Sequence, residues 1–409
     1  LGAREVLGIV WRCDDAPPEG LAPDQARDVA QVLDALPPLD QGWRELVSFA
    51  ARYYQRSLGE VALAALPPPL RDLSPEQLAR RLKRPARAVA AETLGDSERT
   101  LSAEQAAALA EIDAADTPAL LFGTTGSGKT EVYLQACAHA LASDAAAQVL
   151  VLVPEINLTP QLEERFRARF AAAHGGDAVV SLHSGMTPPQ RLAGWIAAHT
   201  GRARIVLGTR LAVFASLPGL KLIVVDEEHD PSYKSQDGAR YSARDLAIYR
   251  AKVAGARVVL GSATPSLESW HASEQGRYRR LAMPSRIGGG ALPRLRLVDM
   301  NHQPKGALIA PPLLAALQER VARGEQSLVL INRRGYAPVL ACHACGWKSG
   351  CPHCSAYRVF HKLDRTLRCH HCGFTQRVPR ACPDCGNLDI EPIGRGTEQV
   401  EEQLAGLLA

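Results

Sequence analysis

Residues able to do chemistry cluster at three places in this sequence. The first is a run of eight, Gly123, Thr124, Thr125, Gly126, Ser127, Gly128, Lys129 and Thr130, which follows an apolar segment and precedes a helical one. A G-x-x-x-x-G-K-T run in that setting is a phosphate loop. Its backbone N–H groups would cradle phosphates, Lys129 would reach the β- and γ-phosphates, and the Thr130 hydroxyl would ligate Mg²⁺, so ATP with Mg²⁺ is the implied ligand. The second cluster, Asp226-Glu227-Glu228-His229, ends the apolar run 222–225. Asp226 suits Mg²⁺ coordination and Glu227 suits polarisation of an attacking water, so with the phosphate loop they form half of an ATPase site. His229 could relay between nucleotide and nucleic acid or be structural. Ser262 and Thr264, in Gly261-Ser-Ala-Thr-Pro265, could bond to His229 and to Glu227 or simply make a Ser/Thr turn. Gln105 could read adenine, but with Ser102 it is also spaced as a helix capping box, and both roles stay open.

The third cluster holds eight of the ten cysteines, in the pairs Cys342/Cys345, Cys351/Cys354, Cys369/Cys372 and Cys382/Cys385. Each Cys-x-x-Cys can present two thiolates to a tetrahedral Zn²⁺, so eight ligands give two closed sites with no open position for water, structural and not hydrolytic. Spacing alone leaves open which pairs share a metal. Residues 333–385 also carry nine Lys/Arg against two Asp/Glu. After two four-thiolate zinc centres a modest positive excess remains, with Tyr336, Trp347, Tyr357, Phe360 and Phe374 interleaved. That pattern suits contact with phosphates and splayed bases, although Phe360 and Phe374 read better as filling a small core. Cys13 and Cys137 stand alone and read as ordinary buried residues.

The elements that must position these groups are visible as apolar runs at 119–122, 149–153, 179–182, 205–208, 222–225 and 258–261, separated by helical stretches. Such alternation implies a parallel sheet wrapped by helices. Before it, residues 1–70 read as a small separate unit with a helix through 43–54 between Pro-rich breaks. Ser74-Pro75-Glu76-Gln77 opens a helix that Arg84-Pro85 ends before a second begins, as in the remains of a winged-helix module or a linker over 71–97. After a Gly/Pro-rich break, a helix over 312–323 leads into a strand over 327–331, as if a second α/β lobe were starting, and the cysteine block interrupts it. Between the acidic cluster and Gly261, Tyr233, Arg240 and Tyr241 lie in a polar, aromatic loop able to stack on bases of any sequence, at ~1 to 3 kcal/mol per base. Composition is that of a globular protein, with 46% hydrophobic and 22% charged residues, and the net charge of +4 is too small to identify a partner. No stretch is long and apolar enough to span a membrane, and without a secretory leader cytoplasmic residence is expected.

Taken in order, the phosphate loop, Pro154-Glu155-Ile-Asn-Leu-Thr-Pro-Gln161, Gly208-Thr209-Arg210, the acidic cluster, Gly-Ser-Ala-Thr and Asn332-Arg-Arg-Gly-Tyr336 resemble the motif series of superfamily-two helicases. Residues 153–161, 226–234, 240–247 and 332–347 resemble the PriA replication-restart family in particular. The resemblance implies a RecA-like helicase lobe over 98–286 and a second lobe starting at 287–341 and continuing, truncated, at 386–409. It also implies a zinc insertion at 342–385 and a partial N-terminal DNA-binding domain over 1–70. It implies that Thr209, Arg210, Arg333 and Arg334 contact DNA and that the 233–241 loop couples single-stranded DNA to hydrolysis. It further implies that the outer cysteine pairs, Cys342, Cys345, Cys382 and Cys385, share one zinc and the inner pairs, Cys351, Cys354, Cys369 and Cys372, the other; pairing of neighbours is the alternative.

The activity so implied is an ATP-dependent, three-prime to five-prime DNA helicase that recognises abandoned or stalled forks and initiates replication restart by primosome assembly. Its partners would be single-stranded and forked DNA, single-stranded DNA-binding protein and primosome or helicase-loading proteins, with no membrane partner. A non-motor fork-binding scaffold is the alternative. Family members carry an arginine-bearing motif beyond the point where these 409 residues stop. An arginine finger is worth ~10³ to 10⁵ in rate, so these residues alone are expected to bind nucleotide weakly and hydrolyse it poorly. DNA-stimulated turnover at the rate of a complete helicase would contradict that.

Overall fold

The computed structural model describes residues 8–13, 29, 31–83, 99–154, 160–288, 294–304, 309–330, 339–393 and 397–408. They divide into two compact units, Leu1–Ala291 and Leu292–Ala409.

The first unit opens with three short helices, each started by a side-chain cap. Asp40 accepts from the Trp43 N–H at the start of α1 (Gln41–Tyr53), Ser57 caps α2 (Leu58–Ala64), and Ser74 with Gln77 forms the capping box of α3 (Pro75–Leu82) that the spacing predicts. The second helix expected after Pro85 lies outside the described residues. There follow α4 (Ala103–Ala114), β1 (Ala119–Gly123), α5 (Lys129–Ala142), β2 (Gln148–Leu152), α6 (Pro160–His174), β3 (Val179–Leu182), α7 (Pro188–His199), β4 (Ile205–Gly208), β5 (Leu220–Asp226), α8 (Ala243–Ala254), β6 (Arg257–Ser262), α9 (Leu267–Glu274) and β7 (Arg279–Met283). All seven strands pair in parallel, in the order β3-β4-β2-β5-β6-β1-β7. Both faces of the central strands are buried, which is why they read as continuous apolar runs in the sequence. The sequence reading missed β7. It is an edge strand in which exposed Arg279 and Arg280 precede buried Leu281 and Met283, so only two inward residues mark it.

Helices α1 and α2, in the stretch the sequence reads as a small unit over 1–70, and α3, in the 71–97 stretch read as a winged-helix remnant or linker, share a core with the parallel-sheet lobe. Trp43, Leu46, Val47 and Ala50 lie in one continuous core with residues of β2, β5, α7 and α8. The Trp43 indole donates to the Phe214 carbonyl at 2.8 Å, Phe49 stacks on Tyr249 with ring centres 3.7 Å apart, and the Ser242 N–H donates to the Tyr54 hydroxyl at 3.0 Å. Three short helices cannot close a core by themselves, so their apolar faces are covered by the larger lobe. His199 fastens the approach to α1: one ring nitrogen lies 2.8 Å from the Pro37 carbonyl and the other 2.9 Å from the Ser216 hydroxyl.

The second unit contains α10 (Pro311–Ala322), β8 (Val339–Cys342), β9 (Val359–His361), β10 (Thr366–Arg368), β11 (Thr375–Arg377), β12 (Ile390–Ile393) and α11 (Thr397–Leu407). Strand β8 pairs antiparallel with β12, and β9, β10 and β11 form a small antiparallel sheet. The strand expected over 327–331 does not form among the described residues: 327–330 are exposed and without regular structure. An apolar run becomes a strand only where neighbouring strands take up its N–H and C=O groups, and none pairs with it there. Among the described residues no helix is long and apolar enough to cross a membrane.

Burial lowers the pKa of His199 below its usual 6.5, against the opposing effects of the Pro37 carbonyl and Asp40. As pH falls through about 6.5 the unfolded chain takes up a proton that the folded chain resists, so this histidine withdraws stability on acidification. Denaturant midpoints measured between about pH 7.5 and pH 5 should therefore fall less in His199→Gln than in the parent chain; equal slopes would contradict this.

Candidate functional site

Three loops meet at the carboxyl edge of the parallel sheet, where open α/β sheets bind ligands. Strand β6 lies between β5 and β1, with Gly261 beside both Asp226 and Leu121 and with Ser262 beside Phe122. The phosphate loop, the acidic cluster and the Gly-Ser-Ala-Thr segment, far apart in sequence, therefore leave adjacent strands.

The phosphate loop turns through Gly126 and Gly128 at φ +84° and +80°, a region open to glycine at little cost. A Cβ at Gly128 would stand 2.4 Å from the Gln105 amide nitrogen and 2.4 Å from Ile287 Cδ1. Gln105 is 3% exposed; its carbonyl accepts from the Ser102 N–H at 2.8 Å, and its amide donates to the carbonyls of Ser127 and Gly128, each at 3.3 Å. The structure shows the cap and adds a grip of the amide on the phosphate loop. Residues 283–287 brace the loop from the other side. Thr124 donates through its N–H to the Met283 carbonyl and through its hydroxyl to the Pro284 carbonyl, both at 3.2 Å, and the Ile287 N–H donates to the Gly126 carbonyl at 3.0 Å. Ser285 in turn donates through its hydroxyl and N–H to Glu104, at 2.6 and 3.1 Å. Sequence reasoning gave neither Glu104 nor this strap a role, since their partners are distant in sequence.

Lys129, the first residue of α5, donates to the Gly123 carbonyl at 3.0 Å and lies 3.9 Å from Glu227. Thr125 and Gly126 are exposed, whereas the Ser127 hydroxyl is buried with no hydrogen-bond partner among the described residues, an orphan that an anion in the loop could satisfy. Asp226 ends β5. Burial, and then the neighbouring Glu227, raise its pKa, while the Tyr133 hydroxyl at 2.9 Å and Lys129 oppose them. Gly261 permits that contact: a Cβ there would lie 1.6 Å from the Tyr133 hydroxyl, so any side chain would push the tyrosine off Asp226. Glu227 adopts a left-handed φ of +44°, at a cost of about 1 to 3 kcal/mol for a non-glycine residue. His229 lies 2.8 Å from the Ser262 hydroxyl, 3.4 Å from that of Thr264 and 3.6 Å from Glu227. The two hydroxyls thus reach the histidine; no hydrogen bond joins either to Glu227 among the described contacts.

The aromatic loop departs from expectation. Tyr233 is 3% exposed and donates its hydroxyl to the main-chain carbonyl of Asp226 at 2.6 Å, and Tyr241 is 8% exposed, packed edge-on against Phe214. Neither ring can stack on a base as placed, because each fills the core beneath the loop. Thr209 is buried too, and Arg210 spends its guanidinium on the carbonyl of Ser232 at 2.9 Å. Arg240, at φ +46°, remains exposed. Arg333, Arg334 and Tyr336 lie outside the described residues, as do residues 155–159.

In the second unit the cysteines gather into two groups whose sulfurs all lie within 4.8 Å of one another, Cys342, Cys345, Cys382 and Cys385 in one and Cys351, Cys354, Cys369 and Cys372 in the other. Each group has the thiol set and spacing for a metal ion. Thiol acidity divides within each group: despite the Trp347 and Ala356 N–H groups, contacts with neighbouring thiols push Cys345 and Cys354 up to about 12. The N–H of Cys372 draws Cys369 down to about 6, and despite burial the N–H groups of Cys345 and Ala344 bring Cys342 to about 6. Between the groups, the buried Ser349 hydroxyl accepts from the Leu340 N–H and donates to the Arg358 carbonyl, both at 3.0 Å. Phe360 and Phe374 are half-buried and Tyr357 is exposed. Cys137 is buried as expected from sequence; Cys13 is exposed, which the sequence did not suggest.

Three family models match the chain: a DEAD/DEAH box helicase over residues 102–272, the PriA 3'DNA-binding domain (3'BD) over 1–67, and the PriA DNA helicase Cys-rich region (CRR) domain over 351–377. The replication restart protein PriA of Haemophilus influenzae is 46% identical over 288 residues, covering 70% of this chain and 38% of that protein. That of Treponema pallidum is 35% identical over 410 residues, covering 99% of this chain and 60% of that protein. The chain thus spans 38% and 60% of the length of these two curated relatives. Among solved structures, RecG bound to a three-way DNA junction aligns at a TM-score of 0.40 and 18% identity over 72% of this chain and 35% of that one, too remote to carry an argument. With PriA-specific matches to both its N-terminal segment and its cysteine block, and 35% identity to a curated PriA over 99% of its own residues, the chain belongs to the PriA replication-restart family.

Proposed function

We propose that this chain is the nucleotide-hydrolysing part of a DNA helicase that acts at stalled replication forks, moves three-prime to five-prime and initiates restart. The observation that carries the proposal is the convergence of Lys129, Asp226 and Glu227 at one sheet edge, beside a loop that turns through left-handed Gly126 and Gly128 and whose Ser127 hydroxyl has no hydrogen-bond partner among the described residues. Bound ATP and Mg²⁺ would supply the phosphoanhydride and the charge that stabilises the transferred phosphoryl group. The residues do the rest. Main-chain N–H groups of residues 125, 126 and 128–130 would hold the phosphates, and Lys129 would exchange the Gly123 carbonyl for them. Thr130 and Asp226 would hold the metal, and its charge would favour the ionised Asp226 that burial disfavours. Glu227 orients the attacking water, and His229, held by Ser262 and Thr264, lies beside it as the link toward the DNA side. Arg240 is the loop's exposed cation for strand contact, while Tyr233 and Tyr241 act from within the core. Single-stranded and forked DNA, single-stranded DNA-binding protein and primosome proteins are the proposed partners, and the cytoplasm is the proposed compartment.

The cysteine groups take one structural zinc each, the outer pairs sharing one ion and the inner pairs the other. Metal analysis of reduced, unchelated protein should find two zinc ions per chain; a value near zero refutes the assignment. Replacing Cys342 and Cys345 by serine should release one ion and expose Cys382 and Cys385 to thiol reagents, leaving Cys369 and Cys372 protected. Exposure of Cys351 and Cys354 instead, with Cys382 and Cys385 still protected, would favour pairing of neighbours.

For the motor, fork unwinding by the full-length protein should fall by about 10²-fold or more in Lys129→Ala, the scale on which loss of a phosphate-stabilising group acts. Equal unwinding by both proteins would leave a fork-binding scaffold as the better reading.

A further inference from the structure

Glu228 is the one member of the acidic cluster to which the proposed chemistry assigns nothing, and it is the most buried. The residue is 1% exposed, and its main-chain N–H donates to the Gly261 carbonyl at 3.0 Å. Its carboxylate accepts from the Ser266 N–H at 2.7 Å, the Ser266 hydroxyl at 3.0 Å, the Ser269 hydroxyl at 2.8 Å and the Arg244 guanidinium at 3.2 Å. A carboxylate removed from water must be matched by charge and hydrogen bonds, and here the match is full. Every side-chain partner comes from α8 or from the segment that follows β6. Arg244 closes the network by donating to the Ser266 hydroxyl at 2.8 Å.

The neighbours of Glu228 in the chain are Glu227 and His229. Glu227 holds a left-handed φ of +44°, a geometry that persists only where the surroundings enforce it. His229 is held by Ser262 and Thr264, in the stretch that Glu228 grips a few residues later at Ser266. One buried side chain thus fixes the acidic turn against the segment that orients the histidine.

We propose that Glu228 is a positioning residue of the ATP site, a buried brace that, with Arg244 as counter-charge, sets Glu227 and His229 against Ser262 and Thr264 without touching nucleotide or DNA. This rests on the helicase reading. In DNA-stimulated ATPase assays of the full-length protein, Glu228→Ala should lower kcat by about ten- to a hundredfold, the scale on which small misplacements of catalytic groups act, and leave KM and the affinity for a fluorescent ATP analogue within about twofold. Glu228→Gln should lose part of kcat, and Glu228→Gln combined with Arg244→Gln should regain some of it, because the pair is then neutral and still hydrogen-bonded. Ser269→Ala, a milder cut, keeps the test open if Glu228→Ala does not fold. Independently of turnover, the Nδ1 nitrogen resonance of His229 in histidine-labelled protein should move away from its hydrogen-bonded position in the brace variants. If the unsubstituted protein hydrolyses no ATP, the helicase reading fails, and this resonance still decides the brace. Unchanged kcat with an unchanged His229 resonance would overturn the proposal. So would a fall in kcat matched by equal losses of nucleotide affinity and thermal stability.

Discussion

Three consecutive carboxylates leave the end of one buried strand, and much of the lobe's polar architecture answers the repulsion among them. Asp226 is disfavoured as an anion by burial and by Glu227 beside it, and is steadied by the Tyr133 hydroxyl and by Lys129. Glu227 faces Lys129 and His229 at 3.9 and 3.6 Å. Glu228 points into the core and takes Arg244 and two serines. Asp226 and Glu227 thus share Lys129, Glu228 has a separate cation in Arg244, and the cations and donors are drawn from different elements. Those elements, α5, α8 and the stretch after β6, are bound to the strand end by the need to neutralise it.

Strand order makes this arrangement reachable. With β6 between β5 and β1, the acidic turn and the phosphate loop are separated by one strand, which is the reach of a lysine or tyrosine side chain across a sheet edge. Gly261 on that intervening strand is the necessary gap. Without a Cβ it lets the Tyr133 hydroxyl pass from α5 to Asp226. The phosphate loop is held on two sides as well, by Gln105 from α4 and by the 283–287 strap, so that its glycine turns are supported by carbonyl contacts from segments before and after it.

The amino-terminal helices belong to the same economy of burial. Trp43 and Phe49 complete a core shared with α7 and α8, and the Trp43 indole bonds to the turn that follows Gly208-Thr209-Arg210. Arg250 reaches that turn from α8, donating to the carbonyls of Val213 and Ala215, both at 2.7 Å. A turn whose carbonyls are held by two elements cannot shift without disturbing both, which joins the amino-terminal helices mechanically to the loop bearing Arg210. In the second unit the apolar core is small, Leu367 and Leu340 among its few buried residues, and the cysteine groups lie where a larger domain would have packed side chains.

Local spacing was enough for everything that depends on neighbours in the chain: the phosphate loop, the capping boxes, six of the seven parallel strands and the cysteine pairs. These signals are short-range, set by periodicity, by glycine at left-handed turns and by ligand spacing. Tertiary structure decided what depends on distant partners. It buried Tyr233 and Tyr241, which spacing alone suggested were free to stack on bases, because the loop folds back on Phe214 and Asp226. It engaged Gln105 with the phosphate loop, left 327–330 outside any sheet and grouped the outer cysteine pairs apart from the inner ones. It also singled out Glu228, whose side-chain partners lie sixteen to forty-one residues away. A sequence states which groups can bond; only the fold, by bringing strand ends together and excluding water, states which of them do.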